Sequence, residues 1–156
     1  MQMSQNGRKL LADWEGIRSK VYDDVAGLPT IGVGHLLTQE ENNSGKITIQ
    51  GQDVDYSQGL SEQQVLDLLA QDLVRFEEIV QNAVQVALSQ NQFDALVSFA
   101  FNVGIQAFKK STLVKVLNNG EYEEVPNQLR RWVKAGGQTV QGLVSRREKE
   151  ISLWNS

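Results

Sequence analysis

The chain has no cysteine. That absence excludes a disulfide framework, a cysteine-ligated zinc site and a thiol nucleophile. Histidine occurs once, as His35, among 156 residues. A multi-histidine metal site therefore cannot be assembled, and a Ser-His-Asp triad would have to use this one imidazole. No apolar run approaches membrane-spanning length, and the N-terminal stretch Met1-Gln2-Met3-Ser4-Gln5-Asn6-Gly7-Arg8-Lys9 has no apolar segment. A Walker-type phosphate loop is missing, and Gly32-Val33-Gly34 lacks the rest of a dinucleotide fingerprint. No cofactor is expected. A net charge of −4 argues against a general binder of polyanions such as nucleic acid.

What is present is an ordinary globular composition, 40% hydrophobic and 22% charged. The length suits one core, or two small lobes sharing a helix, but not two independent domains. Charge is uneven: residues 1–80 carry 6 Lys/Arg against 13 Asp/Glu, or −7, and residues 81–156 carry 9 against 6, or +3. The basic half is the side suited to an anionic polymer, although most such charges only solvate a surface.

Helical patterning dominates. Leu10, Leu11 and Trp14 mark one buried face of a helix over Gly7 to Trp14, which Gly16 would end, placing Glu15 on its last turn. Ser61-Glu62-Gln63-Gln64 is a capping box before apolar residues that recur at helical spacing to Val80. Ser89 to Gln92 repeats that signal before Phe93 to Val103, which is apolar nearly all round and must be enclosed. Gly104 ends it. A short helix capped by Ser111 and ending at Asn118-Asn119-Gly120, and a helix over Glu121 to Lys134 with Pro126 in its first turn or at a kink, are expected next. A loop from Gly136 to Gly142 and a closing helix from Leu143 to Trp154 complete the pattern. Thr38 to Gly59 reads as loop with one small hairpin, Lys46 to Gln50 against Asp53 to Tyr56, a surface insertion rather than a lid.

The chemistry gathers between Glu15 and His35. A helix C-terminus disfavours an ionised carboxylate, so Glu15 is expected to hold its proton more tightly than an ordinary glutamate, as a general acid requires. Lys20 to Val25 and Thr30 to His35 read as two strands around a turn with Gly27 and Pro29. Thr30 and one of Asp23 or Asp24 then flank the hairpin mouth, because alternation sends neighbouring side chains to opposite faces; spacing alone leaves open which aspartate that is. Two carboxylates of different character are what glycosidic cleavage needs: one protonates the leaving oxygen and the other serves as base or nucleophile.

The segment resembles the active-site stretch of the phage-type lysozymes, the endolysins of tailed phages. Their pattern of Glu, eight residues, Asp or Cys, five residues and Thr falls on Glu15, Asp24 and Thr30, followed by Ile31-Gly32-Val33-Gly34-His35. Gln92 to Gly104 is similar to the family's central helix, and Trp132, Gly136-Gly137 and Gly142 to Glu150 are similar to its glycan-facing loop and closing helix. The resemblance implies a single α+β, mostly helical, lysozyme-like domain over 1–156. Its lobes would be roughly 16–60 and 81–156, with 1–15 packed on the C-terminal lobe, a connecting helix over about 61–80 and an active cleft between the lobes. It implies a muramidase without cofactor or metal that cuts peptidoglycan, with Glu15 as acid and Asp24 with Thr30 holding or activating water. Asn102 and Gly137 are implied as glycan contacts, with Arg146 and Arg147 contacting peptide or lactyl carboxylates while one of them pairs with Glu150. His35 is implied to be structural. Such a protein is expected to be a monomer made in the host cytoplasm. It would reach the wall after a holin opens the membrane, unless an N-terminal anchor has been removed. A lytic transglycosylase on the same bond and a non-catalytic wall-binding module are the alternatives.

Overall fold

The computed structural model describes residues 1–156, and the protein is mostly helical with three small antiparallel sheets. The chain forms two compact units, Arg8–Val74 and Met1–Gly7 with Arg75–Ser156, the divisions falling inside α1 (Gln5–Glu15) and α3 (Glu62–Ala83).

In the Arg8–Val74 unit, α1 ends where expected: Gly16, at φ +87, donates its N–H to the Ala12 carbonyl. The expected two-stranded hairpin is three-stranded, β1 (Arg18–Asp23), β2 (Pro29–Gly32) and β3 (His35–Leu36), with β2 central and a register irregularity between Arg18 and Tyr22. Gly32 ends β2; its φ of +70 is the left-handed conformation that favours glycine over any residue with a side chain. Ile31, Val33, Val65, Leu69 and Leu73 form the core with Ile47 and Ile49 of the inserted hairpin β4 (Lys46–Ile49) and β5 (Gln52–Asp55). Each such burial contributes about 1.5–3 kcal/mol. The 38–59 stretch is more ordered than the sequence suggests, because it opens with helix α2 (Gln39–Ser44). The Thr38/Glu41 capping box forms that helix, but Gln-Glu-Glu-Asn-Asn-Ser has no apolar period to reveal it. Tyr56 donates its hydroxyl to the Glu41 carbonyl at 2.8 Å, and Gln71 of α3 accepts from the Gln50 N–H at 2.6 Å.

The other unit is built on α4 (Gln90–Val103), whose residues Phe93 to Ala100 are all buried, with α8 (Gln141–Trp154) against it. The Ser89/Gln92 capping box starts α4, as the sequence indicates. Phe99 meets Phe108 and Trp132 edge-on at 6.1 and 5.4 Å, and Phe76 meets Phe101 at 5.3 Å. Gly104 both stops α4 and starts α5 (Ile105–Lys110), a turn and a half that the sequence reading passed over; α6 (Thr112–Asn118) follows, capped by Ser111 as expected. The expected Glu121–Lys134 helix is instead a 3-10 turn, Tyr122–Glu124, and a short α7, Val125–Leu129. Successive N–H groups at Arg131 and Trp132 bond three residues back, tightening and ending it. The expected Gly136–Gly142 loop is a hairpin, β6 (Lys134–Ala135) against β7 (Gln138–Thr139), and α8 begins two residues earlier than predicted, at Gln141. Gly136 and Gly137 at φ +60 and +78 make the two-residue turn that suits the twist of paired strands. The N-terminus belongs to this unit. Asp94, fully buried, accepts from the Ser4 N–H and hydroxyl and from Gln90, and Glu77 accepts from the Met3 N–H at 2.7 Å.

Candidate functional site

Glu15 is the last residue of α1 and is exposed. Asp23 and Asp24 take different places. Asp23 ends β1 opposite Pro29, whereas Asp24 opens the turn between β1 and β2. Its Oδ1 accepts the N–H groups of Ala26 and Leu28, both at 2.9 Å, while its own N–H and carbonyl bond Leu28 and Gly27. The side chain thus closes the loop it starts, the usual device of an aspartate in a tight turn. Oδ2 takes no part in the turn.

Thr30 is enclosed, with 3% of its surface exposed. Its hydroxyl donates to the Leu28 carbonyl at 2.9 Å. One residue therefore holds both side chains, the Leu28 N–H on Asp24 and the Leu28 carbonyl on Thr30. With its proton spent on Leu28, the Thr30 oxygen is left to accept. The arrangement supplies two acceptors fixed by the backbone of one residue.

His35 is bound on both ring nitrogens, Nδ1 to Asp72 at 2.8 Å and Nε2 to Glu41 at 2.9 Å. Burial alone would lower its pKa; the hydrogen bonds and charges of Asp72 and then Glu41 outweigh that and raise it to about 9. It is an imidazolium cross-tie between α2 and α3, with no nitrogen left to take a proton. An open pocket of about 280 Å³ is lined by Thr38, Glu41, Lys46 and Asp53, within the inserted segment and not at Asp24.

The four remaining residues are divided. Gly137 lies exposed in the β6–β7 turn, and Asn102 is exposed near the end of α4. Arg146 and Arg147 face inward instead, at 7% and 0% exposure. Arg146 Nε lies 3.1 Å from Glu150 Oε2 and its guanidinium donates to Ser98; Arg147 Nε lies 2.8 Å from Glu150 Oε1. Arg147 also donates to the Trp132 carbonyl and to Asn102 Oδ1, and lies over the Phe99 ring. The expected direct contact with wall carboxylates is thus corrected for Arg147, which has no exposed surface. Both arginines pair with Glu150, not one alone. Burial pushes the Glu150 carboxyl up, against the opposing pull of Arg147, Arg146 and the Ser98 hydroxyl. The i,i+4 and i,i+3 spacings to Glu150 are visible in the sequence; Ser98, 52 residues away, is not.

Residues 12–150 match the family model described as phage lysozyme. The chain is 40% identical over 158 residues to the endolysin of Bacillus phage PZA, covering 100% of this chain and 56% of that protein, so it spans about half the length of that relative. Among solved structures it is similar to a mutant of the lysozyme of Salmonella phage P22, with 37% identity, a TM-score of 0.84 and coverage of 100% of this chain and 99% of that one. It is also similar to the muramidase domain of SpmX from Asticaccaulis excentricus, with 31% identity, a TM-score of 0.81 and coverage of 99% and 98%.

Proposed function

Because the chain belongs to the phage lysozyme family, we propose that it is an endolysin that hydrolyses the β-1,4 bond between N-acetylmuramic acid and N-acetylglucosamine in bacterial peptidoglycan. Glu15 protonates the leaving oxygen, and a water held by Asp24 and Thr30 attacks the sugar carbon. The observation that carries this reading is that the backbone of one residue, Leu28, bonds both side chains. It fixes Asp24 through one oxygen and consumes the Thr30 proton, so Asp24 Oδ2 and Thr30 Oγ1 are both acceptors. A water donating a hydrogen to each keeps a lone pair for attack, and Asp24 takes the proton that leaves. Thr30 is nearly enclosed, which suits a contact with something no larger than water.

Asn102 and Gly137 serve as glycan contacts, and Arg146 and Arg147 act from the interior. The enzyme works as a monomer without metal or cofactor. No helix is long and apolar enough to cross a membrane, and a holin gives the protein access to the wall.

The test is the release of reducing ends from purified Gram-negative peptidoglycan by wild type and by Glu15→Gln. Wild type should release them, and loss of the proton donor should cut the rate by about 10²–10⁴ or more. Near-wild-type activity in the variant would remove Glu15 from the mechanism. Solubilised wall without new reducing ends would make the protein a transglycosylase, and no release at all would make it a binding module.

A further inference from the structure

Helix α2 is six residues long, and none of them is buried. A helix that short is marginal in water by itself. With no apolar face to dock, its place depends on hydrogen bonds, and these converge on Glu41. The Glu41 N–H donates to the Thr38 hydroxyl, and its carbonyl accepts the Gly45 N–H and the Tyr56 hydroxyl. Its Oε1 accepts from the Thr38 N–H and from His35 Nε2, both at 2.9 Å. Through His35 it is tied to Asp72 of α3. The β4–β5 hairpin that follows is secured differently. Ile47 and Ile49 are buried, and Gln71 of α3 accepts from the Gln50 N–H and donates to the Thr48 carbonyl.

A carboxylate only accepts, so His35 needs a proton on each ring nitrogen to bond both Asp72 and Glu41, and a neutral imidazole carries one. Asp72 is the stronger partner, so the remaining proton stays on Nδ1. Nε2 then turns a lone pair towards Glu41 Oε1, acceptor against acceptor, at the atom on which α2 depends. We infer that α2 is a proton-dependent latch: when His35 becomes neutral its bond to Asp72 survives, its bond to Glu41 breaks, and Gln39–Ser44 undocks and loses its helix while β4 and β5 stay paired. The other charged groups around the latch are Glu40 on α2, Lys46 on β4 and Asp53 on β5, which line the pocket there; none forms an ion pair with His35. Burial, then the charges of Glu41 and Asp55, push the Tyr56 hydroxyl above its ordinary value, so it keeps its proton through the range, near pH 9, in which His35 loses one. The device belongs to the inserted segment and makes no use of Glu15, Asp24 or Thr30.

The experiment is NMR of the full chain between pH 7 and pH 10, reading the ring ¹⁵N shifts of His35 and the ¹³Cα shifts of the backbone, in wild type and in Glu41→Gln. At pH 7 both ring nitrogens should be protonated and α2 should be helical. At pH 10 Nδ1 should keep its proton and Nε2 should not. The helical ¹³Cα shifts of Gln39–Ser44 should then fall by at least half, with those of β4, β5 and α3 unchanged. Gln at position 41 keeps the capping role, and its carboxamide either accepts from Nε2 or donates to it. Its α2 should therefore hold its shifts at both pH values. The inference is overturned by a His35 that keeps both protons at pH 10, or by a neutral ring with its proton on Nε2. It is equally overturned by an α2 indifferent to pH, by a loss spread evenly over residues 8–74, or by the same loss in Glu41→Gln. If that variant fails to fold, the ring protonation and the α2 shifts of wild type decide.

Discussion

Asp24 and Glu150 are both carboxylates held by directed donors, but at opposite depths. Asp24 is half-buried and is held at one oxygen by two backbone N–H groups from its own turn, within four residues. Glu150 is fully buried: its Oε2 accepts from Arg146 on its own helix and from the Ser98 hydroxyl across the core, while its Oε1 faces Arg147 Nε at 2.8 Å as an ion pair. The local turn fixes a side chain through one oxygen and leaves the second outside the turn's hydrogen bonds. The buried cluster uses both oxygens to neutralise cations that have no water around them, so its product is structure. Neighbouring donors can orient a group cheaply, whereas charges brought inside must be matched completely.

The most severe test removes the buried anion. Glu150→Ala leaves two enclosed guanidinium groups without a counter-charge and should cost about 3–5 kcal/mol, a fall in Tm on the order of 10 °C for a chain of this size. A Tm within a degree or two of wild type in thermal denaturation would mean the cluster does not hold the fold.

His35 offers a second ion cluster, with a pH signature. Its folded pKa of about 9 lies above the ordinary value of 6.5. The stabilisation is therefore fully present below about pH 6.5 and is lost as pH rises through 9, and it amounts to about 3 kcal/mol. Thermal denaturation between pH 6 and 10 should show the decline, and Asp72→Asn should flatten it by removing the stronger partner. A wild-type curve without that decline would refute the cross-tie.

Gly7 separates a buried carboxylate that tolerates rearrangement from one that does not. A Cβ there would lie 2.6 Å from Asp94 Oδ2, the oxygen that Ser4 also binds. Gly7→Ala should destabilise by about 1–3 kcal/mol despite the better helix propensity of alanine. Equal or greater stability in urea denaturation would show that Asp94 moves aside without loss.

The smallest expected change in stability is at Asp24. Asn at this position keeps an acceptor for the Ala26 and Leu28 N–H groups, so unfolding should shift by no more than about 0.5 kcal/mol, while reducing-end release should fall by about 10² or more. A large loss of stability would place Asp24 with Glu150, as a structural carboxylate.

Much of the molecule is legible in order of locality. The Ser61/Gln64 and Ser89/Gln92 boxes announce α3 and α4, because cap, spacing and apolar face all lie within one helix. Glu15, Asp24 and Thr30 stand within 16 residues, and their turn is closed by bonds of two to four residues. Helices α2 and α5 were missed because six residues cannot display a period. The Glu121–Lys134 helix was overestimated because its residues suit a helix, while pairing of Lys134–Ala135 with Gln138–Thr139 captures its end.

The order of residues by itself settled the absence of a thiol, the mostly helical character, the central position of Phe93 to Val103 and the short segment in which the chemistry was sought. These depend on composition and on near neighbours. Tertiary packing determined that Arg147 lies inside, that Asn102 turns its oxygen to it, and that His35 is clamped by Glu41 and Asp72, the latter 37 residues away. Long-range partners of this kind leave no periodic trace. A buried charge accepts whichever counter-charge the fold brings within about 3 Å, and only the folded chain specifies which one that is.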